Sequence, residues 1–268
     1  MDVSLKLLSE SLLSFYPAMV KYIQFPIINQ LWARLSIYAL ISLLFIDKSV
    51  FPKLLSGTGI LLAITSVFHV WSSYVGFKNL ESGVSYSIFY VYPLLIILLA
   101  GNKFKFYYLL PLIGVFLLSY PNFKNGASKD HIIGLLGIIG ATLSEVGIYF
   151  IVKRLQNKNP WNTVLISYLL PAIFLTIILN KKAIPNEPNQ SYKQLLLLIL
   201  GNALIGVIGY TLRFYTINRL PSNLYGILSY FGVVMAYVYG YMLNEEKVTI
   251  IQIAGSLIIV ISALFFFQ

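Results

Sequence analysis

The sequence predicts an all-α integral membrane protein of ten transmembrane helices, folded as two inverted five-helix repeats. Three observations carry that expectation. The first is composition. The chain is 58% hydrophobic and only 10% charged over 268 residues, with a mean hydropathy of +0.81, whereas a soluble domain carries about 25% charged residues. The second is the length of its uncharged blocks. Val248 to Phe267 contains no charged residue, and at ~1.5 Å per residue it spans about 30 Å, the hydrocarbon thickness of a bilayer.

The third is internal similarity. Residues 79–120 and 218–267 both open on Leu and a small polar turn, Leu80–Glu81–Ser82 against Leu220–Pro221–Ser222. Each continues into a Tyr-rich helix in which Tyr90 falls opposite Tyr230. Each ends in a final helix with a glycine at the same place, Gly114 against Gly255. Such weak similarity is the usual trace of a duplicated membrane bundle.

Taken in order, hydropathy places helices at 4–24, 27–46, 55–77, 82–100, 105–121, 131–153, 162–180, 193–217, 222–243 and 248–267. Helix one begins near the N-terminus, where Glu10 interrupts an apolar run too early for a cleaved signal, and ends at Phe25–Pro26. Helix two runs to the polar break Asp47–Lys53, which contains Pro52. Pro121–Lys129, Asn157–Pro160 and Asn180–Ser191 mark later joints. The first repeat is thus 1–121, the link 122–130 and the second repeat 131–268. Five helices per half insert the second half from the opposite side, which makes the repeats inverted. Ten is even, so both termini share one side. The basic residues divide nine against eight between the two faces, so the positive-inside rule does not choose the orientation.

Small residues mark close helix contacts. Gly134, Gly137 and Gly140 recur every third position, and Gly232, Ala236 and Gly240 every fourth. An ionisable group at membrane depth is costly and points to function. Helix one carries Ser9, Glu10, Ser11, Ser14 and Pro17. Its apolar residues contribute roughly −2 to −4 kcal/mol to insertion and a central charge costs about +2.5 to +3.5 kcal/mol. Helix one therefore belongs inside the bundle, with positions 10, 14, 17 and 21 on one face lining a wet cavity. Arg34, His69 and Glu145 lie within helices two, three and six. Arg34 either pairs with Glu10 or Glu145 or faces a solute. Arg213, near the end of helix eight, reads as snorkelling to the interface. Of the 20 tyrosines, Tyr86, Tyr90 and Tyr230 lie deep and either stack on a solute or form a packing layer.

The candidate binding residues are Glu10, Ser14, Arg34, His69, Tyr86, Tyr90, Glu145 and Tyr230, with Glu10 and His69 as proton carriers. The 19 Lys and Arg sit singly between apolar runs, which excludes a nucleic-acid face and fits anchoring at anionic headgroups. With no cysteine, two histidines far apart and no HExxH, no metal or cofactor is expected.

Together these features resemble the drug/metabolite transporter superfamily, in particular its EamA-type ten-helix members. The resemblance rests on the Leu220–Ser222 turn, the small and aromatic helix nine, the Asn244–Lys247 break, and Gln252 with Gly255. In the first repeat it rests on Tyr92–Pro93 and Arg34. Gly101–Asn102–Lys103 lacks the family's glutamate, and Gly232–Val233 replaces its second proline. The resemblance implies a central cavity walled by helices one, three, four, six, eight and nine, a cytoplasmic N-terminus and alternating access. The expected protein is a secondary transporter of a small polar or amphipathic metabolite (an amino acid, amine or nucleoside-like solute). It would be a monomer or weak homodimer in the plasma (inner) membrane, with protons as the coupling ion. The rivals are a membrane enzyme acting on a lipid-linked substrate and a non-transporting receptor or assembly subunit.

Overall fold

A computed structural model describes residues 1–100, 110, 113, 114, 116–118, 120, 128–179 and 191–264. All regular structure among them is helical: α1 Asp2–Leu13, α2 Phe15–Tyr22, α3 Ile27–Ser42, α4 Val50–Leu54, α5 Gly57–Asn79, α6 Ser82–Phe89, α7 Tyr92–Leu99, α8 Lys129–Leu155, α9 Pro160–Leu179, α10 Tyr192–Ile217, α11 Ser222–Ser229, α12 Phe231–Asn244 and α13 Ile250–Leu264. Most of the expected helix five and most of the expected 122–130 link lie outside the described residues. The short α4 falls where the sequence reads only as a break.

Serine caps start three of the long helices. The Oγ atoms of Ser56, Ser128 and Ser191 accept from the backbone N–H of Gly59, His131 and Gln194, satisfying donors that the first turn leaves open. Among the described residues six helical stretches are long and apolar enough to cross a membrane: Gly57–Asn79, Ser82–Leu99, Lys129–Leu155, Pro160–Leu179, Lys193–Ile217 and Leu224–Asn244. The bundle is apolar outside. Leu44, Ile64, Leu136, Phe174 and Ile177 are each at least 60% exposed, as a surface in contact with acyl chains requires. The interior holds Glu10, Arg34, His69, Glu145 and Arg213.

Three predicted helices are interrupted at mid-depth. Helix one divides at Ser14 into α1 and α2. Pro17 supplies no N–H, so the carbonyl of Leu13 loses its helical partner, and the Tyr86 hydroxyl donates to it instead. Helix four divides between Phe89 and Tyr92, four residues before and one residue before Pro93. Helix nine divides at Tyr230 without a proline. There Ser229 Oγ donates back to the Tyr225 carbonyl at 2.9 Å, a bond that competes with the backbone ladder.

Packing follows the small residues. α5 lies along α8 in the most extensive helix pairing. A Cβ on Gly137 would come within 2.8 Å of the Ser72 carbonyl oxygen, so only glycine permits this approach. At the far edge Gly114 and Gly255 meet reciprocally, a Cβ on either reaching the other's carbonyl oxygen at 2.6 and 2.8 Å. At one end of the bundle, Glu246 accepts from the Ser82 backbone N–H at 2.6 Å and from Lys21 Nζ at 2.7 Å. Glu245 before it takes the left-handed conformation, φ 53°, which a non-glycine residue adopts at a cost. That residue turns the chain so that Glu246 reaches back to the ends of α2 and α6.

Candidate functional site

The central polar site is built from α1, α5, α8, α10 and α11, with Tyr90 from the break between α6 and α7. α1 presents Lys6, Ser9, Glu10 and Leu13 inward. Of the expected face at positions 10, 14, 17 and 21, Glu10 lies on this inward side of α1, and Ser14 and Pro17 are buried as well. Lys6 donates to Glu10 one turn along and also sits 3.4 Å from the Tyr225 ring centroid. Tyr90 donates to the other Glu10 oxygen. Arg213 on α10 adds its Nη2 to both Glu10 oxygens at 3.3 and 3.1 Å. Its Nη1 donates to Glu145 Oε1 on α8 at 2.9 Å. His69 on α5 completes the chain: Nε2 lies 3.1 Å from the Tyr210 hydroxyl and 3.5 Å from Glu145 Oε2. Its Nδ1 is 3.1 Å from the Ala141 carbonyl.

Arg213 therefore clasps two carboxylates from two other helices. Such a pair in low dielectric is strongly coupled, and removing one partner leaves a charge stranded. Arg213 is only 1% exposed, so the snorkelling read from its place near a helix end does not hold. The face Gly206, Tyr210, Arg213 turns inward because Gly206 admits the hydroxyls of Tyr16 and Tyr38. Lys6, counted among interfacial lysines, is likewise fully buried.

Arg34 pairs with neither Glu10 nor Glu145. It lies between tyrosine rings, its Cζ 4.3 Å from the centroid of Tyr16, 4.9 Å from Tyr210, 5.2 Å from Tyr38 and 5.5 Å from Tyr74. Cation–π attraction of this kind strengthens when desolvated. Ser14 and Tyr86 spend their hydroxyls on α1 carbonyls, those of Glu10 and Leu13. Tyr230 packs 6.4 Å from Tyr90 between ring centroids, and its hydroxyl has no partner among the described residues.

The expected wet cavity along positions 10, 14, 17 and 21 is not open in this conformation. Glu10 is 0% and His69 2% exposed, because Lys6, Tyr90 and Arg213 close over the carboxylate. They are sealed within a polar network rather than in apolar packing. Lys21 leaves that face for Glu246 at the bundle end. At the opposite end an open recess of about 670 Å³ is lined by Lys153, Gln156, Asn157, Lys158, Asn218 and Arg219, with Tyr215.

Residues 132–268, slightly more than half of the chain, match the sequence model of a family described as the EamA-like transporter family. No curated protein matches the chain. Among 11 solved chains that match, one described only as "Crystal structure of protein" is 12% identical. The match covers 94% of this chain and 96% of that one, with a TM-score of 0.60. At that identity the likeness shows the fold alone.

Proposed function

Because the chain belongs to the EamA-like transporter family, a group of membrane transporters within the drug/metabolite superfamily, we propose that it carries a small polar or amphipathic metabolite across the plasma membrane by alternating access. The solute class is an amino acid, amine or nucleoside-like compound. The reading includes ten helices in two inverted repeats with both termini cytoplasmic. The contact of the matched tyrosines, Tyr90 with Tyr230, and of the matched glycines, Gly114 with Gly255, supports it. Residues equivalent under a two-fold axis in the membrane plane meet where that axis passes.

The observation that carries the reading is the Lys6–Glu10–Arg213–Glu145–His69 network. It joins three long helices and α1 through charges that bulk lipid would reject. Glu10, Tyr90, Glu145 and His69, with Arg213 added, form the candidate centre. Tyr230 and Arg34 flank it, and Ser14 and Tyr86 hold the break in helix one. Each Glu10 oxygen already accepts from two donors, so a proton arriving there must displace one. Glu145 Oε2 has no hydrogen-bond partner among the described residues and faces His69 Nε2. Of the two proposed proton carriers, His69, acting with Glu145, is the better placed.

The test is flux into proteoliposomes containing only this protein, across an imposed pH gradient. Transport that responds to the gradient in wild type, is lost in Glu10→Gln and loses its pH dependence in His69→Gln is the expected result. Solute binding without flux would instead mark a receptor or assembly subunit. Gradient-independent flux in wild type would remove the proton from the mechanism.

A further inference from the structure

Beside Arg34 lies a small recess walled by Ile23, Gln30, Tyr74, Ile199, Asn202 and Ala203. It sits in the half of the bundle near the α2–α3 turn, apart from the Glu10–Arg213 network. Four polar atoms of its wall have no hydrogen-bond partner among the described residues: Arg34 Nε, Arg34 Nη2, Gln30 Oε1 and Asn202 Oδ1. Their side chains belong to residues no more than 6% exposed. Buried polar atoms are almost always satisfied, so four orphans on one recess call for a partner.

The two donors are informative as a pair. Nε and Nη2 form one edge of the guanidinium, with two parallel N–H bonds that match the two oxygens of a planar carboxylate. The two acceptors are informative too. Gln30 Nε2 donates to the carbonyls of Ile23 and Phe25 at 3.2 and 2.9 Å, which fixes the amide and leaves Oε1 without a partner among the described residues. Charge points the same way. Among the described residues the buried interior holds Lys6, Arg34 and Arg213 against the carboxylates of Glu10 and Glu145, and these two are taken by Lys6 and Arg213. Among the described residues, Arg34 is the buried Lys or Arg that no ion pair compensates.

We propose that this recess is a carboxylate subsite and that the transported solute is a small carboxylic acid with an N–H or O–H donor on the neighbouring carbon. The carboxylate lies along the Nε–Nη2 edge of Arg34, and the adjacent donor reaches Gln30 Oε1 and Asn202 Oδ1. In the present conformation the recess measures about 10 Å³, the room of roughly one water. Loading therefore requires the α2–α3 end of the bundle to part. This assignment of substrate class rests on the transporter reading.

The experiment is thermal unfolding of the full chain in detergent with three probe sets: α-amino acids, the matching 2-hydroxy acids, and the carboxamides of both. At least one acid should raise the melting temperature with concentration, and its carboxamide should need more than tenfold higher concentration for the same shift. Whether the amino or the hydroxy series responds identifies the neighbouring donor. Arg34→Lys should weaken the response at least tenfold by removing the fork. Gln30→Glu, one helical turn from Arg34, supplies a carboxylate from within. It should melt no lower than wild type and lose the response to acids. A carboxamide as effective as its acid, or a Gln30→Glu variant that still responds, overturns the proposal. Uptake of amines or nucleosides into proteoliposomes, with no acid stabilising the protein, would refute the carboxylate subsite and leave transport standing. Stabilisation by acids without flux would do the reverse.

Discussion

Arg213 and Arg34 are both almost fully buried, at 1% and 3% exposure, and both lie within 5.5 Å of the same Tyr210 ring. Their surroundings differ in one respect. Arg213 is compensated by Glu10 and Glu145, while Arg34 meets aromatic rings, tyrosine hydroxyls and uncharged amides. The first arrangement holds helices together. The second keeps a cation unspent, which is useful where an anion must come and go. Burial alone therefore does not distinguish a clasp from a receptor for ligand; the partner inventory does.

The comparison can be broken most forcefully at Arg213. Arg213→Met strands Glu10 and Glu145, and the expected loss is about 3–5 kcal/mol, read as a large fall in melting temperature in detergent. A loss below about 1 kcal/mol would mean that Lys6 and His69 suffice and that no clasp exists. Arg34→Met should cost less, about 1–2 kcal/mol, the scale of desolvated cation–π contacts, since no carboxylate is left alone. It should nonetheless stop solute flux. If the two variants melt alike, the distinction fails. Tyr210→Phe sharpens the comparison, because it keeps the ring shared by both arginines and removes the hydroxyl that meets His69 and Arg34. A destabilisation of about 1 kcal/mol is expected, with the pH profile of flux shifted.

The smallest effect lies outside the membrane and serves as a control for pH work on the core. Hydrogen bonds from Ser49 and Asn162 hold the Asp47 carboxyl at a pKa of about 2, below its ordinary 3.8. A depressed carboxylate stabilises the fold above its unfolded pKa and loses that contribution as pH falls through the folded one. Melting temperature should therefore carry a slight decline between pH ~4 and ~2 that Asp47→Asn removes. Any pH effect at higher pH that survives this substitution belongs elsewhere.

The sequence made helix one's place legible, because Glu10 with three serines could not face lipid, and Glu10, Ser9 and Ser14 are indeed at 0% exposure. The internal similarity sets Tyr90 opposite Tyr230, and the two rings lie 6.4 Å apart between centroids. What it hid was azimuth. Four residues from a helix end, Arg213 could point out or in, and nothing in its own neighbourhood chose until Gly206 was seen to admit two tyrosine hydroxyls. Which cation meets which carboxylate depends on helix rotation, so the sequence leaves Arg34 open between an ion pair with Glu10 or Glu145 and a solute, and the structure shows no such pair. The break in helix nine was illegible for another reason: no proline marks it, and a serine turned back on its own helix does the work.

Glu246 has a mechanical implication. Its carboxylate ties the end of α2, the start of α6 and the link leading to α13 at the face through which Arg34 would be reached. Parting that face means separating Lys21 from Glu246 where both are partly wet, with side chains 21% and 10% exposed. Attraction at such a place is damped by dissolved ions over a Debye length of about 8 Å at physiological strength. Salt should therefore loosen this latch while leaving the dry clasp around Arg213 untouched, so that ionic strength becomes a dial on one gate alone.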